Sequence, residues 1–330
     1  MSSSFEQTPT ALTIGDGLVV KKSQGTYFVR SAGQVVTCAS SNRLRKNLIY
    51  PTAAPTSLHH RVKEVKGIEA VDPIAVGDRV MFNHAGDGTG LITAVLPRRN
   101  HLARPAAGDK PLEQVIVANV DQVAPVLSAA RPAPKWELLD RYLAAAEAAG
   151  VPSLIVITKT DLEPDAELLD EVRAFQRLGY PVLLTSTVTG AGLDEFRAAL
   201  TGLVSVFVGK SGVGKTSLLN AVEPGLGLRV RAVSDSTDKG RHTTTHPELF
   251  ELGQGGAVVD TPGMREFGLW KLAGADLAQA FVELRPYLGR CKFSADCTHA
   301  HEPGCAVKAA VAAGHITERR YRSFLRMQGD

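Results

Sequence analysis

The sequence predicts an α/β chain in three parts: a small β-barrel over residues 14–99, a mostly parallel sheet with helices on both faces over 100–268, and a helical, metal-binding end over 269–330. Three observations carry that reading. Short β-branched runs separated by glycine turns fill the N-terminal part, strands and helices alternate through the middle, and three of the four cysteines stand within 15 residues near the C-terminus. Strand–helix alternation builds a parallel sheet covered on both faces, and short, regularly spaced strands build barrels. At about 150 residues per domain, the 330 residues hold two or three such parts.

Composition excludes several classes. Hydrophobic residues make up 44% and charged residues 22%, which is ordinary for a globular chain and rules out dominant disorder. No apolar run approaches the ~18 residues of a membrane span. Met1–Phe5 lacks the basic and apolar regions of a signal peptide, so a cytoplasmic protein is expected. The net charge of +3 is uninformative as a total, but residues 1–100 carry +5, residues 101–264 carry −5 and residues 265–330 carry +3. Basic ends around an acidic middle hint at contact with a polyanion.

The elements follow in order. Residues 1–13 are Ser/Thr-rich and read as a disordered tail. Gly17–Val20, Thr26–Val29, Gln34–Thr37, Arg79–Phe82 and Gly90–Val95 are the barrel strands. Between them, residues 47–71 form a long basic loop with His59, His60, Arg61, Lys63 and Lys66. The middle part runs strand Gln114–Asn119, helix Trp136–Ala149, strand Ser153–Thr158, helix Ala166–Leu178, strand Pro181–Thr185, helix Gly192–Leu200, strand Val204–Val208 and strand Ala257–Asp260. Glycines at 150 and 179 stop the first two helices. Residues 264–330 read as helical apart from the cysteine cluster.

Chemistry concentrates in a few stretches. Gly209, Lys210, Ser211, Gly212, Val213, Gly214, Lys215 and Thr216, followed by Ser217, fit G-x-x-x-x-G-K-[ST] between a predicted strand and a predicted helix. In that setting backbone N–H groups and the helix N-terminus cradle phosphates. Lys215 is placed to reach the β- and γ-phosphates, and the Thr216 hydroxyl to bind Mg²⁺. Asp260 ends a strand 44 residues after Thr216, where it can hold Mg²⁺ through water, and the Gly263 N–H can meet the γ-phosphate. Asp161, three residues after Thr158, can accept from guanine N1–H and the 2-amino group, donors that adenine lacks there. Lys159 can lay its stem along the base, and Ser186 with its neighbours can offer N–H groups to guanine O6. Cys291, Cys297 and Cys305, with His299 or His301, supply the Cys₃His set of a tetrahedral Zn²⁺ site. Cys38 stands alone as a packed thiol.

The order of these motifs is unusual, because 158–161 and 185–187 precede the P-loop at 209–216, which precedes 260–263. A circular permutation of one parallel sheet explains this without altering the site. With Ala118–Asp121, Asp140–Leu143, Thr158–Asp161, Gly209–Asn220, Gly240–Thr245, Asp260–Gly263, Arg265–Gly268 and the cysteine cluster, the chain resembles the circularly permuted GTPases. Among them it is most similar to the ribosome small-subunit-dependent GTPase A family, over roughly residues 15–325.

The resemblance implies a circularly permuted P-loop GTPase domain with an N-terminal OB-fold barrel and a C-terminal helical zinc-binding domain. It implies GTP hydrolysis to GDP and phosphate with Mg²⁺ and one Zn²⁺, in late maturation of the small ribosomal subunit, with that subunit and its rRNA as partners. A monomer without membrane contact is expected. Residues 240–245 look like the first switch loop, with one of Thr243, Thr244 and Thr245 completing the Mg²⁺ shell and Thr244 favoured. Met264 stands where many GTPases carry a water-orienting Gln, and the family points to His242 for that role. The family pattern selects His299 over His301. Arg30, Arg43, Arg45, Lys46, Arg61, Lys63 and Lys66 on the barrel are candidate RNA contacts, as are Arg319 and Arg320, with Arg322 and Arg326, on the last helix.

Three features depart from the family. Thr158 replaces an Asn that normally braces the P-loop and meets the base. The spacer from Cys291 to Cys297 is one residue longer than the family's, and the 47–71 insert exceeds a minimal barrel. The competing reading is a non-catalytic RNA-binding assembly factor that senses guanine nucleotide.

Overall fold

The computed structural model describes residues 13–23, 25–45, 72–105, 113–162, 164–226, 247–260, 274–293 and 296–329. The chain divides into two compact units. One comprises Met1–Arg99, Pro105–Asn119 and His246–Leu249, and the other Asn100–Arg104, Val120–Thr245 and Phe250–Asp330.

The first unit holds β1 (Thr13–Ser23), β2 (Thr26–Ser31), β3 (Gln34–Ser40), a short α1 (Asn42–Arg45), β4 (Arg79–His84) and β5 (Thr89–Val95). Strand β1 pairs antiparallel with both β2 and β4, β2 with β3, and β4 with β5, while β3 runs parallel to β5. That circuit closes a five-stranded OB-type barrel. A register shift between Val19 and Lys21 bends β1, the long strand that serves two partners. Alternate residues point inward, and Val19, Tyr27, Val29, Val36, Cys38, Val80, Phe82 and Ile92 form the core. Cys38 is part of that core, and burial pushes its thiol up to about 11. Gly17 is required by close packing, since a Cβ there would lie 2.7 Å from the Arg30 carbonyl oxygen.

The chain continues through β6 (His101–Pro105) and β7 (Glu113–Ala118). The second unit then contains β8 (Gln122–Ser128), α2 (Trp136–Ala148), β9 (Ile155–Thr158), α3 (Ala166–Arg177), β10 (Val182–Leu184), α4 (Leu193–Leu200), β11 (Val204–Val208) and α5 (Lys215–Val222). After β12 (Glu248–Glu251), which straddles the division, come β13 (Ala257–Asp260), α6 (Gly274–Ala280), α7 (Ala306–Ala312) and α8 (Glu318–Gly329). Strands β10-β9-β8-β11-β13 form a parallel sheet in that order. Ser128 lies in register with Thr158, and Phe207 with Asp260, so the site strands end along one edge of the sheet. Open parallel sheets place ligands at that edge.

Strand β8 is absent from the sequence reading. All seven of its residues are buried, and Pro125 lies within it, opposite Val208. Proline in a central strand removes a ladder donor and ordinarily argues against a strand. The C-terminal helices share a core with α2. Leu277, Phe281, Leu284, Val307 and Phe324 pack together with Ala144 of α2 and with the three C-terminal cysteines. No helix among the described residues is long and apolar enough to cross a membrane.

Candidate functional site

Strand β11 runs directly into the P-loop. Gly209 has φ +151°, and a Cβ on it would lie 2.4 Å from the Val126 carbonyl oxygen. Gly214, the N-cap of α5, has φ +98°. Only glycine adopts these conformations cheaply. Val213 is buried against the sheet, which fixes the loop from below. The Lys215 ammonium donates to the loop's own carbonyls, at 2.6 Å to Gly209 and 2.9 Å to Lys210. Burial draws its pKa below the usual lysine range, and the Asp260 carboxylate opposes that shift. Thr216 and Ser217 follow in the first turn of α5, and Asp260 ends β13 beside the start of the loop. A cation, a helix N-terminus and a carboxylate therefore face the same space, the combination that takes a phosphate chain with its metal.

The base side is built from the ends of β9 and β10. Thr158 is buried, and its hydroxyl donates to the Val213 carbonyl of the P-loop, with the Leu127 carbonyl at 3.2 Å. The shorter side chain thus keeps the brace to the P-loop. A hydroxyl carries a single proton, so while it braces the loop Thr158 cannot also donate to an acceptor on the base edge. Lys159, at φ +58°, donates to Gly212 O at 2.8 Å and to Arg131 O. The Asp161 carboxylate accepts from the Ser186 hydroxyl at 2.6 Å, and that hydroxyl in turn accepts from the N–H groups of Val188 and Thr189 at 3.2 Å each. Ser186 therefore orients the Asp161 carboxylate.

The family model for the RsgA GTPase matches residues 95–270. The chain belongs to the RsgA GTPase family. A small ribosomal subunit biogenesis GTPase RsgA of Gemmatimonas aurantiaca is 47% identical over 264 residues, covering 78% of this chain and 84% of the relative. The protein of the same description from Azotobacter vinelandii is 46% identical over 254 residues, covering 76% and 73%. Among solved structures, YjeQ from Thermotoga maritima aligns with TM-score 0.71 and 33% identity over 96% of this chain and 98% of that one. YloQ, described as a circularly permuted GTPase, aligns with TM-score 0.66 and 29% identity over 99% and 97%. The RsgA fold, a circularly permuted GTPase with a closed barrel, accounts for the motif order.

Beyond the P-loop, this RsgA chain gathers Cys291, Cys297, His299 and Cys305, all buried, with their ligand atoms within 4.8 Å of one another. His299 Nδ1 lies 3.5 Å from the sulfurs of both Cys291 and Cys305, which are 3.8 Å apart. A tetrahedral ion with metal–sulfur bonds of ~2.3 Å and metal–nitrogen bonds of ~2.0 Å requires edges of ~3.8 and ~3.5 Å. The cluster therefore fits one metal ion. The Tyr321 hydroxyl donates to the His299 carbonyl at 2.6 Å, and Ala306 N–H points at the Cys291 sulfur at 3.3 Å. His301 is exposed and outside the cluster.

Two of the proposed RNA contacts require correction. Arg320 is buried, bonding Asp140 at 2.7 Å and Glu283 through both of its carboxylate oxygens, at 2.6 and 3.0 Å. Its guanidinium also lies 4.6 Å from the Phe281 ring centroid. Arg319 bonds the other Asp140 oxygen and Glu171, each at 2.7 Å. Both arginines are spent on α2, α3 and the 283 segment, and neither is free for a phosphate. The sequence showed Asp140–Leu143 as a family feature without its role. On α1, Arg43 is exposed and Arg45 is the last residue. Lys46, His242, Thr244 and Gly263 lie outside the described residues.

Sequence reasoning also missed the segment after β8. Ser128 donates to Pro132 O at 2.6 Å, and Pro132, Pro134, Leu138 and Tyr142 line a cleft with Gly209, Lys210 and Val213. The N-terminal half of α2 thus abuts the P-loop.

Proposed function

We propose that this RsgA-family GTPase acts on the small ribosomal subunit in its late maturation, in the cytoplasm and as a monomer, gripping rRNA when GTP is bound and leaving after hydrolysis. The observation that carries the reading is the joint geometry of Lys215 over the P-loop and of Asp161 held by Ser186, on a chain whose relatives are named for small-subunit biogenesis. Three modules divide the work: the barrel at 14–99, the nucleotide core at 100–268 and the metal-binding end at 269–330.

Within the core, Asp161 selects guanine, Lys159 supports the base, and Gly209–Ser217 wrap the phosphates. Thr216, Asp260 and Thr244 would hold Mg²⁺, which when bound would neutralise charge on the phosphate oxygens. Lys215 stabilises charge on the transferring group, and His242 positions the attacking water in place of the Gln that Met264 replaces. Intrinsic turnover is expected to be slow. Added small subunits, and not large subunits, are expected to raise it at least tenfold, with His242→Ala removing most of the rise. Steady-state phosphate release measures both. Turnover indifferent to small subunits overturns the ribosome role, and a stimulated His242→Ala enzyme overturns the water-positioning role.

The C-terminal ion is proposed to be Zn²⁺, held by Cys291, Cys297, His299 and Cys305. The ion would cross-link a segment whose cysteines are part of the α6–α8 core. Metal binding of this kind is folding free energy. Cys297→Ser or a strong chelator is therefore expected to cost several kcal/mol of stability (about 3 or more), with release of one equivalent of zinc. Atomic absorption and calorimetry on the same sample test this, and an unchanged Tm after metal removal would refute it.

A further inference from the structure

Among the described residues, most cations of the metal-binding end are engaged by carboxylates. Arg285 bonds Glu147 at 2.6 Å, Arg319 and Arg320 hold the cluster around Asp140, Arg326 pairs with Glu137, and Arg322 lies 3.9 Å from Glu318. Among the described residues, Arg290 and Lys292 flank the ligand Cys291, are exposed and have no carboxylate partner. Between Cys291 and Cys297 stands Phe293, 46% exposed, a large ring kept in water beside two cations. Its backbone is anchored on both sides: Lys292 N–H bonds Gly304 O at 3.1 Å, and Asp296 N–H bonds Phe293 O at 3.1 Å. The Lys292 ammonium lies 6.0 Å from the ring centroid. Among the described residues close in sequence, Glu302 accepts from Thr298 N–H at 2.9 Å and from its hydroxyl.

We propose that Arg290, Lys292 and Phe293 form an RNA-docking surface in which Phe293 stacks on one unpaired base while the two cations meet the flanking phosphates. The inference rests on the small-subunit reading and names the contact within it. An aromatic ring flanked by cations fits a splayed-out base on a polyanion, because every base offers a π-face and the phosphates lie on either side. A ring on a backbone anchored by these two hydrogen bonds is presented at little entropic cost.

The test is equilibrium binding of the full chain, with a non-hydrolysable GTP analogue, to purified small subunits and to protein-free small-subunit RNA. Phe293→Ala is expected to weaken both about tenfold, Phe293→Tyr to restore them, and Phe293→Leu to stay weak. Arg290→Ala/Lys292→Ala is expected to reduce the salt slope by about 2. Basal GTP hydrolysis and metal content should not change in any variant. Phe293→Leu binding like the parent would mean an apolar protein contact and overturn the proposal, as would Phe293→Ala binding like the parent. If the parent itself fails to bind small subunits, the wider reading falls instead.

Discussion

Arg320→Met is expected to destabilise the chain by about 3–5 kcal/mol, measured as a shift in denaturant midpoint at constant slope. The residue is 3% exposed, and three of its N–H groups bond two carboxylate residues that are themselves 0% and 7% exposed. Methionine preserves volume against Phe281 and Phe175 but leaves Glu283 buried beside no cation and Asp140 with Arg319 alone. Breaking one partner of a buried pair costs more than the pair contributes, because the orphaned charge keeps its desolvation penalty. Asp140→Asn is expected to cost less, since each arginine then retains a glutamate. Adding Glu283→Leu to Arg320→Met is expected to recover part of the loss. Burial opposes the Arg320 charge, but Asp140 and Glu283 outweigh it, and the pKa moves up. A raised pKa gives stability fully present below the ordinary arginine value, so this contribution does not titrate away near neutrality. Equal losses for Arg320→Met and Asp140→Asn would contradict the charge accounting.

That cluster also shows which parts of the molecule were legible in the sequence. The P-loop, the strand entering it and the helix leaving it are visible because a phosphate cradle needs glycines at fixed places, and those places show in one dimension. The alternation in the middle part is visible because apolar runs and glycine stops repeat. Strand β8 was hidden by Pro125, a residue that ordinarily argues against a central strand although this one is buried throughout. The arginines of α8 misled for a different reason. A basic helix looks the same in sequence whether its partner is RNA or an acidic stripe elsewhere in the chain. Here Glu137, Asp140 and Glu147 lie along α2 and take Arg326, Arg319, Arg320 and Arg285. Part of the charge split along the chain is thus satisfied internally. The same pairing changes how the metal-binding end is expected to move. It is fastened to α2, whose first half abuts the P-loop, so it follows the nucleotide core as a body.

Lys215→Ala is expected to separate activity from stability. Hydrolysis should fall by about 10²–10³-fold, the usual cost of removing one preorganised charge or donor from a transition state. The nucleotide-free protein should change by no more than about 1 kcal/mol, because two effects oppose. Two hydrogen bonds to Gly209 and Lys210 carbonyls are lost, but a buried ammonium is also removed. Its depressed pKa means that folding binds this proton more weakly than the unfolded chain does. The charge therefore costs stability below its folded pKa, a cost that falls as pH rises into the alkaline range. Asp260 offsets part of that cost. A triphosphate offsets the rest in the parent, so GTP should raise the parent's Tm strongly and the variant's little, by mass action on the folded state. Calorimetry with and without GTP measures both. A variant that loses hydrolysis but keeps the full GTP-induced rise in Tm would show that Lys215 acts on the transition state alone and leaves ground-state binding to the backbone amides of the loop.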